Sequence, residues 1–405
     1  MPGESPLNLM QQPDQRLRRP APMAARRRRR QLWPVVALAV GVVVMLALGW
    51  TWLWFYAAQV ADRTLAGWVE REAAAGRVYS CASQTIGGFP FRIEARCDDA
   101  AATLKNEQPP YAVTAKAIKF ATQVYRPTRL VGDVTGPLTL AESGQPPGFL
   151  ANWTRARLSV RGLPPYPDNV TLTLEHPHLD HAAPAEGDAL IFKADHADLQ
   201  GRIVGGTARA NPVIEAVLHL SAASAPSLHA LAAEPTEAEL DAVLRGFKDL
   251  SPKPWAERFR EMQAAGGDIE IKFVRITQAD DMIVGTGKLT VNAQGKLDGL
   301  VNVAIVGLEH IVPLLGVERL IGRGVNKLTG AAGTSAQGLS TLDRLVPGLS
   351  SALRDSANVT LIENLKKMGK PAEIDKKPAT VLPLRFADGS VYLGMLPLGE
   401  VPPLF

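Results

Sequence analysis

Hydrophobic and polar residues alternate with period two along most of the chain. Phe91, Ile93, Ala95 and Cys97 alternate with Arg92, Glu94 and Arg96. Leu158 and Val160 alternate with Arg157, Ser159 and Arg161; Val170, Leu172 and Leu174 with Thr171, Thr173 and Glu175. Ile214, Ala216, Leu218 and Leu220 alternate with Glu215, Val217, His219 and Ser221. Each pattern predicts a strand with one buried face. Ile269, Ile271 and Phe273 predict another. Residues 286–306 read as a hairpin turned at Gln294-Gly295, and Asp388-Gly389 turns a last hairpin.

Helical spacing appears in fewer places. Ala61, Leu65, Trp68, Val69 and Glu72 predict a helix over 57–75 that Gly76 ends. Thr236 and Glu239 form a capping-box pattern, and Leu240, Val243, Leu244 and Phe247 follow it at helical spacing. Trp255, Phe259 and Met262 predict a second helix, stopped by Gly266-Gly267. Further helices are expected around 310–322 and 352–368, flanking a Gly/Ser/Ala-rich loop at 323–340. The expected fold class is α+β, sheet-dominated, with antiparallel hairpins, inserted helices and one transmembrane helix in front.

The N-terminal segment departs from this alternation. Residues 31–61 carry no charge, and Leu32 to Tyr56 is almost wholly apolar. About 20 helical residues cross a bilayer. Trp33 at one end and Trp50, Trp52 and Trp54 at the other suit the headgroup level. A cleaved signal peptide would have a shorter core and small residues where these rings stand. Arg26, Arg27, Arg28, Arg29 and Arg30 precede the span and favour a cytoplasmic N-terminus. The organisation read from these features is a disordered basic tail (1–30), a transmembrane helix (31–56), a juxtamembrane helix (57–76) and two sheet-rich halves. The halves are 77–225 and 226–405, either separate or one continuous domain. Met23, just before the arginine run, is a candidate alternative start.

The chain has 405 residues, a net charge of +4 and a pI near 9.0. The basicity is local. Residues 1–30 hold eight arginines against two acids, whereas 62–405 hold 36 basic and 38 acidic residues. The excess reports membrane orientation and gives no reason to expect nucleic acid.

Cys81 and Cys97 are symmetric about Phe89, in the turn made by Gly87, Gly88 and Pro90. A hairpin closed there would set the two thiols opposite each other. An exported location favours a disulfide over two unrelated thiols.

The apolar span, the Trp-bearing helix and the motif Gly87-Gly88-Phe89-Pro90-Phe91-Arg92 between the cysteines resemble a family of bacterial envelope proteins, domain of unknown function 2125. The resemblance continues through Gly287-Lys288-Leu289-x-Val291 to Gly299 and Pro383-Leu384-x-Phe386-x-Asp388-Gly389 to Gly394. It implies a bacterial inner-membrane, single-pass protein with most of the chain periplasmic, and it brings no activity. A looser likeness joins the chain to membrane-anchored envelope proteins typified by AsmA, from which lipid handling follows by analogy.

Motifs for chemistry are weak. Gly285-Thr286-Gly287-Lys288 lacks the spacing of a phosphate loop and has Leu289 where Ser or Thr is needed. No Gly-x-Ser-x-Gly elbow or His-Glu-x-x-His helix occurs. His176, His178 and His181, with Asp180, Asp195 and His196, are the only metal candidates, and Pro177 interrupts them. Glu270/Lys272 and Asp280/Asp281 read as solvated charge pairs. No catalytic residue, cofactor or metal is assigned. The expected function is non-enzymatic binding or scaffolding of a lipid or an envelope component. Two alternatives are an envelope hydrolase acting on glycan or lipid, and a structural subunit of a membrane complex.

Overall fold

The computed structural model describes residues 24–107, 109–163, 166–182, 190–228, 230–314, 349–394 and 396–405. Contacts divide the chain into two units, Met1–Tyr56 and Ala57–Phe405. Helix α1 (Ala24–Ala74) forms the described part of the first unit and enters the second. It is the one helix among the described residues long and apolar enough to cross a membrane. Side chains along its apolar stretch face outward, with Trp33, Leu38 and Met45 each more than two-thirds exposed (76%, 71% and 76%), whereas Trp54 is buried. Such a surface is costly in water and costless in hydrocarbon. The basic tail before residue 24, Met23 included, lies outside the described residues, as do the side chains of Arg26 to Arg30.

The second unit is built on one sheet, and every pairing in it is antiparallel. β1 (Arg77–Ser80) and β2 (Ser83–Gly87) both pair with β3 (Arg92–Leu104). β3 pairs with β4 (Tyr111–Gln123), and β4 with β5 (Arg126–Glu142). β5 then meets two short strands, β6 (Phe149–Asn152) and β7 (Arg155–Arg161). These continue as two branches: β7 to β8 (Asn169–Glu175), and β6 to β9 (His178–His181) and β10 (Leu190–Lys193). β8 pairs with β11 (His196–Thr207). From β11 the sheet is a plain meander through β12 (Ala210–Ala223), β13 (Thr236–Leu244), β14 (Asp268–Gln278), β15 (Asp281–Val291) and β16 (Leu297–Val306). β17 (Lys370–Ile374) precedes β18 (Lys377–Ala387), which joins β16. β19 (Ser390–Leu393) and β20 (Leu396–Glu400) close the chain. β12 and β13 pair across residues 223–235, so the sheet is continuous there.

The register turns separate alternations into continuous rows. One row of cross-strand partners runs Phe120, Gly132, Leu158, Leu172, Leu199, Leu218, Leu240, Val274, Gly285, Val303, Leu382. A parallel row runs Ile118, Val134, Ala156, Leu174, Ala197, Leu220, Ala238, Ile276, Ile283, Ile305. One face of the sheet is therefore apolar from end to end. The opposite face carries Lys119, Asp133, Arg157, Thr173, Asp198, His219, Glu239 and Arg275 in the same partner order. Opposite charges across a ladder support pairing. Glu215, only 4% exposed, accepts from Arg202 and from Lys272 (2.7 Å).

Helices sit on the apolar face toward the C-terminal end. α2 (Trp255–Ala264) buries Met262 against Phe247 and Val291. α3 (Leu308–Leu314) and α4 (Leu349–Met368) supply Leu308, Ile311, Val312 and Leu365 to a core with Val301, Val303, Ile305 and Leu382.

Two expectations are corrected. Thr236 to Phe247 is not a helix: β13 occupies Thr236–Leu244. Ala238, Leu240, Ala242 and Leu244 alternate with Glu237, Glu239 and Asp241, and that period-two pattern prevails. No capping box forms, because Thr236 Oγ1 donates to Glu234 O and Glu239 lies opposite His219. The hairpin register around Phe89 also differs. Gln84, not Cys81, is the cross-strand partner of Cys97. Cys81 falls in the interruption between β1 and β2, where Asp99 adopts φ +46° on the facing strand. The two cysteines still come within 5.4 Å between Cα atoms and are joined as a disulfide.

Other expected elements appear where the pattern puts them. α1 ends at Ala74, with Gly76 at φ +80°. β15 and β16 form the 286–306 hairpin, and Asn292 Oδ1 accepts from the backbone N–H of Gln294 and Lys296 to hold its turn. Gly285 to Lys288 lies inside β15, as a strand. The 323–340 loop, and the 310–322 stretch beyond Leu314, fall outside the described residues.

Candidate lipid-binding face

The apolar rows are not equally covered. At the C-terminal end Val303 is 6% exposed and Leu382 0%. In β7, β8 and β11 Ala156 alone is fully buried. Leu158, Leu172, Leu199 and Leu218 stand side by side on four adjacent strands, part-exposed, with Leu199 at 46%. Strands lie about 4.8 Å apart, so these leucines make an apolar stripe about 15 Å across. Part-exposed leucines set side by side make this stripe a candidate site for an apolar ligand.

At the other end of the rows, the part of α1 after Ala57 lies on the sheet. Gln84 Nε2 donates to Asp62 Oδ1 (3.2 Å), and the Trp68 ring packs against Tyr79, tilted by 31°, with centroids 4.9 Å apart. Glu72, 9% exposed, pairs with Arg77. That hydrogen bond raises the Arg77 guanidinium further above its usual range, and burial raises the Tyr79 phenol. Between this helix and β3–β5 lies a cavity of about 320 Å³. Leu65, Trp68 and Val69 line its helix side; Ala95, Ala100, Val113, Ile118, Phe120 and Leu138 line the sheet. The disulfide is part of its wall. Gly132 makes room for the Phe120 ring, since a Cβ there would stand 2.7 Å from Phe120 Cε1. This chamber is within the size range of small-molecule sites, and its lining suits hydrocarbon.

The polar candidates are dispersed. His181 packs on Phe149 (5.4 Å between centroids), His178 lies 3.9 Å from Asp180, and His196 Nε2 is 2.6 Å from Asp198. His176 takes φ +48° at the bend before β9. Among the described residues no group of three His, Cys, Asp or Glu could hold a metal. Glu270 pairs with Arg245 (2.6 Å) and Lys272 with Glu215, on the polar face. Asp281 accepts from His310 Nδ1 (3.1 Å), and Asp280 pairs with Lys377 (2.9 Å). Gly88 of the Gly87 to Arg92 motif has φ +98°, and Phe89 and Phe91, in the turn itself, are half-exposed. What the linear pattern did not reveal is the register that aligns leucines from four strands.

No curated protein matches the chain. A family model described as an uncharacterised protein conserved in bacteria (DUF2125) matches residues 54–402, from the end of the apolar span almost to the C-terminus, and the chain belongs to that family.

Proposed function

We propose that the protein is a membrane-anchored, non-enzymatic binder of lipid acyl chains. The observation that carries this is the row Leu158–Leu172–Leu199–Leu218, part-exposed on the face that is buried as core farther along. Each methylene moved from water onto such a surface contributes about 0.8 kcal/mol. The cavity beside Trp68 is a second apolar compartment on the same face. In this reading Arg26 to Arg30 stay cytoplasmic, Trp33, Trp50, Trp52 and Trp54 mark the interfaces, and residues 57–405 act in the periplasm of a bacterial inner membrane. The charge pattern and the oxidised Cys81–Cys97 pair support that location.

The test uses the full chain in nanodiscs containing a lipid with a photoreactive acyl chain. Labelled peptides from β8 and β11 are expected, and Leu172→Glu with Leu199→Glu should abolish that labelling while circular dichroism stays unchanged. Equal labelling of the folded double variant, or label confined to residues 33–56, overturns the proposal.

A further inference from the structure

The apolar face holds a second chamber, of about 340 Å³, near its C-terminal end. Phe192, Ala238, Ile276, Ile283 and Ile311 line it. Ala238, Ile276 and Ile283 are consecutive partners in one of the apolar rows, so the chamber continues the face that bears the exposed leucines.

One hydroxyl in its wall is left unpartnered. Ser224 is 3% exposed, and its hydroxyl has no hydrogen-bond partner among the described residues. Its backbone is fully engaged, donating to Lys193 O (2.8 Å) and accepting from Lys193 N–H (2.9 Å). The β12–β13 register slips between Leu220 and Ala223, and this irregularity precedes Ser224. An unmade hydrogen bond at a buried hydroxyl costs on the order of 1–3 kcal/mol, which a ligand acceptor seated in the chamber would recover. Three other polar side chains of the wall, Gln278, Thr236 and Asp281, do have hydrogen-bond partners. Gln278 Nε2 donates to Leu231 O (2.9 Å) and Thr236 Oγ1 (2.9 Å), and Asp281 accepts from His310.

We infer that this chamber binds the carbonyl end of an uncharged acyl ester, with the Ser224 hydroxyl donating to the carbonyl oxygen and the hydrocarbon lying along the apolar row. The inference rests on the acyl-binding reading and names the chemical end that is recognised. An ionised fatty acid fits worse, because a carboxylate would lose its hydration among apolar walls and face the Asp281 carboxylate. A fatty amine would bring a buried ammonium to an aspartate already paired with His310.

The experiment uses the full chain in nanodiscs and two photoreactive probes: a monoacylglycerol and a hydrocarbon of equal length without the ester. In the parent, the monoacylglycerol should label peptides covering Ile276 and Ile283. Ser224→Ala should cut that labelling about fivefold to tenfold, the worth of one buried hydrogen bond, and leave hydrocarbon labelling unchanged. Ala238→Trp, which fills the chamber, should remove both. Excess oleate at neutral pH should compete far less than unlabelled monoacylglycerol. Equal ester labelling of parent and Ser224→Ala, or equal competition by oleate, overturns the inference. Label on β8 and β11 peptides but none at the chamber overturns this inference and leaves the acyl-binding reading standing; no label at either place overturns both.

Discussion

The two ends of one apolar row make opposite uses of the same sequence pattern. Leu172 and Leu382 belong to the same row of partners, each flanked by residues that face the other side of the sheet. Leu382 is completely buried beneath residues from α3 and α4, whereas Leu172 is part-exposed. Alternation specifies which face is apolar and does not specify what covers it. Where the chain supplies helices, the face becomes core. Where none of the described helices lies, the same face is left part-exposed.

The comparison breaks most visibly under truncation. Leu382→Ala should cost about 2–5 kcal/mol, the usual penalty for emptying a filled core site, whereas Leu172→Ala should cost less than about 1.5 kcal/mol. Denaturant titration of the full chain in micelles measures both. Equal losses would mean that the central face is also sealed. Next in size is the disulfide. Cys81→Ser with Cys97→Ser should lose about 3 kcal/mol, given its sequence separation of 16 residues. Hydrogen exchange should rise in β1–β4 and not in β15–β18. Uniform loosening of both regions would deny that the sheet ends are independently held.

Much of this organisation was legible, and the rest was not, for physical reasons. The phase of β7, β8, β12 and β14 could be read because charged or hydroxyl residues recur at alternate positions, as Thr171, Thr173 and Glu175 do in β8. β13 was misread because Leu240, Val243, Leu244 and Phe247 also satisfy a helical period; the acids Glu237, Glu239 and Asp241 carried the decisive alternation. The cysteine pairing was legible through symmetry, yet the true register passes through Gln84. No symmetry argument sees an interruption such as the one between Ser80 and Ser83. The leucine row and the Ser224 chamber depend on register between strands far apart in sequence, and local periodicity holds no information about that.

Smaller effects sharpen the contrast from the polar side. Glu215 is held below the usual carboxylate range first by its hydrogen bond from Arg202, then by that from Lys272. Its pKa is depressed on folding, so its contribution is present above the ordinary carboxylate value and is lost as pH falls through the depressed one. Glu215→Gln should cost about 1–3 kcal/mol at neutral pH and flatten the acid limb of stability. An unchanged acid limb would place the acid sensitivity elsewhere.

The smallest expected effect lies where the covering helix α3 begins. His310 is raised above its ordinary value by its hydrogen bond to Asp281, with Glu309 and Asp280 adding to the field. A raised folded pKa favours the charged imidazole, so this link is fully present below the ordinary histidine value and fades as pH rises through the raised one. Asp281→Asn should return the His310 titration, followed by NMR, toward that of an exposed histidine. It should also remove any pH dependence of hydrogen exchange in Leu308–Leu314. If α3 protection keeps its pH dependence in that variant, the His310–Asp281 link does not hold the helix down, and another titrating pair, such as Glu309 with Lys366, sets that dependence.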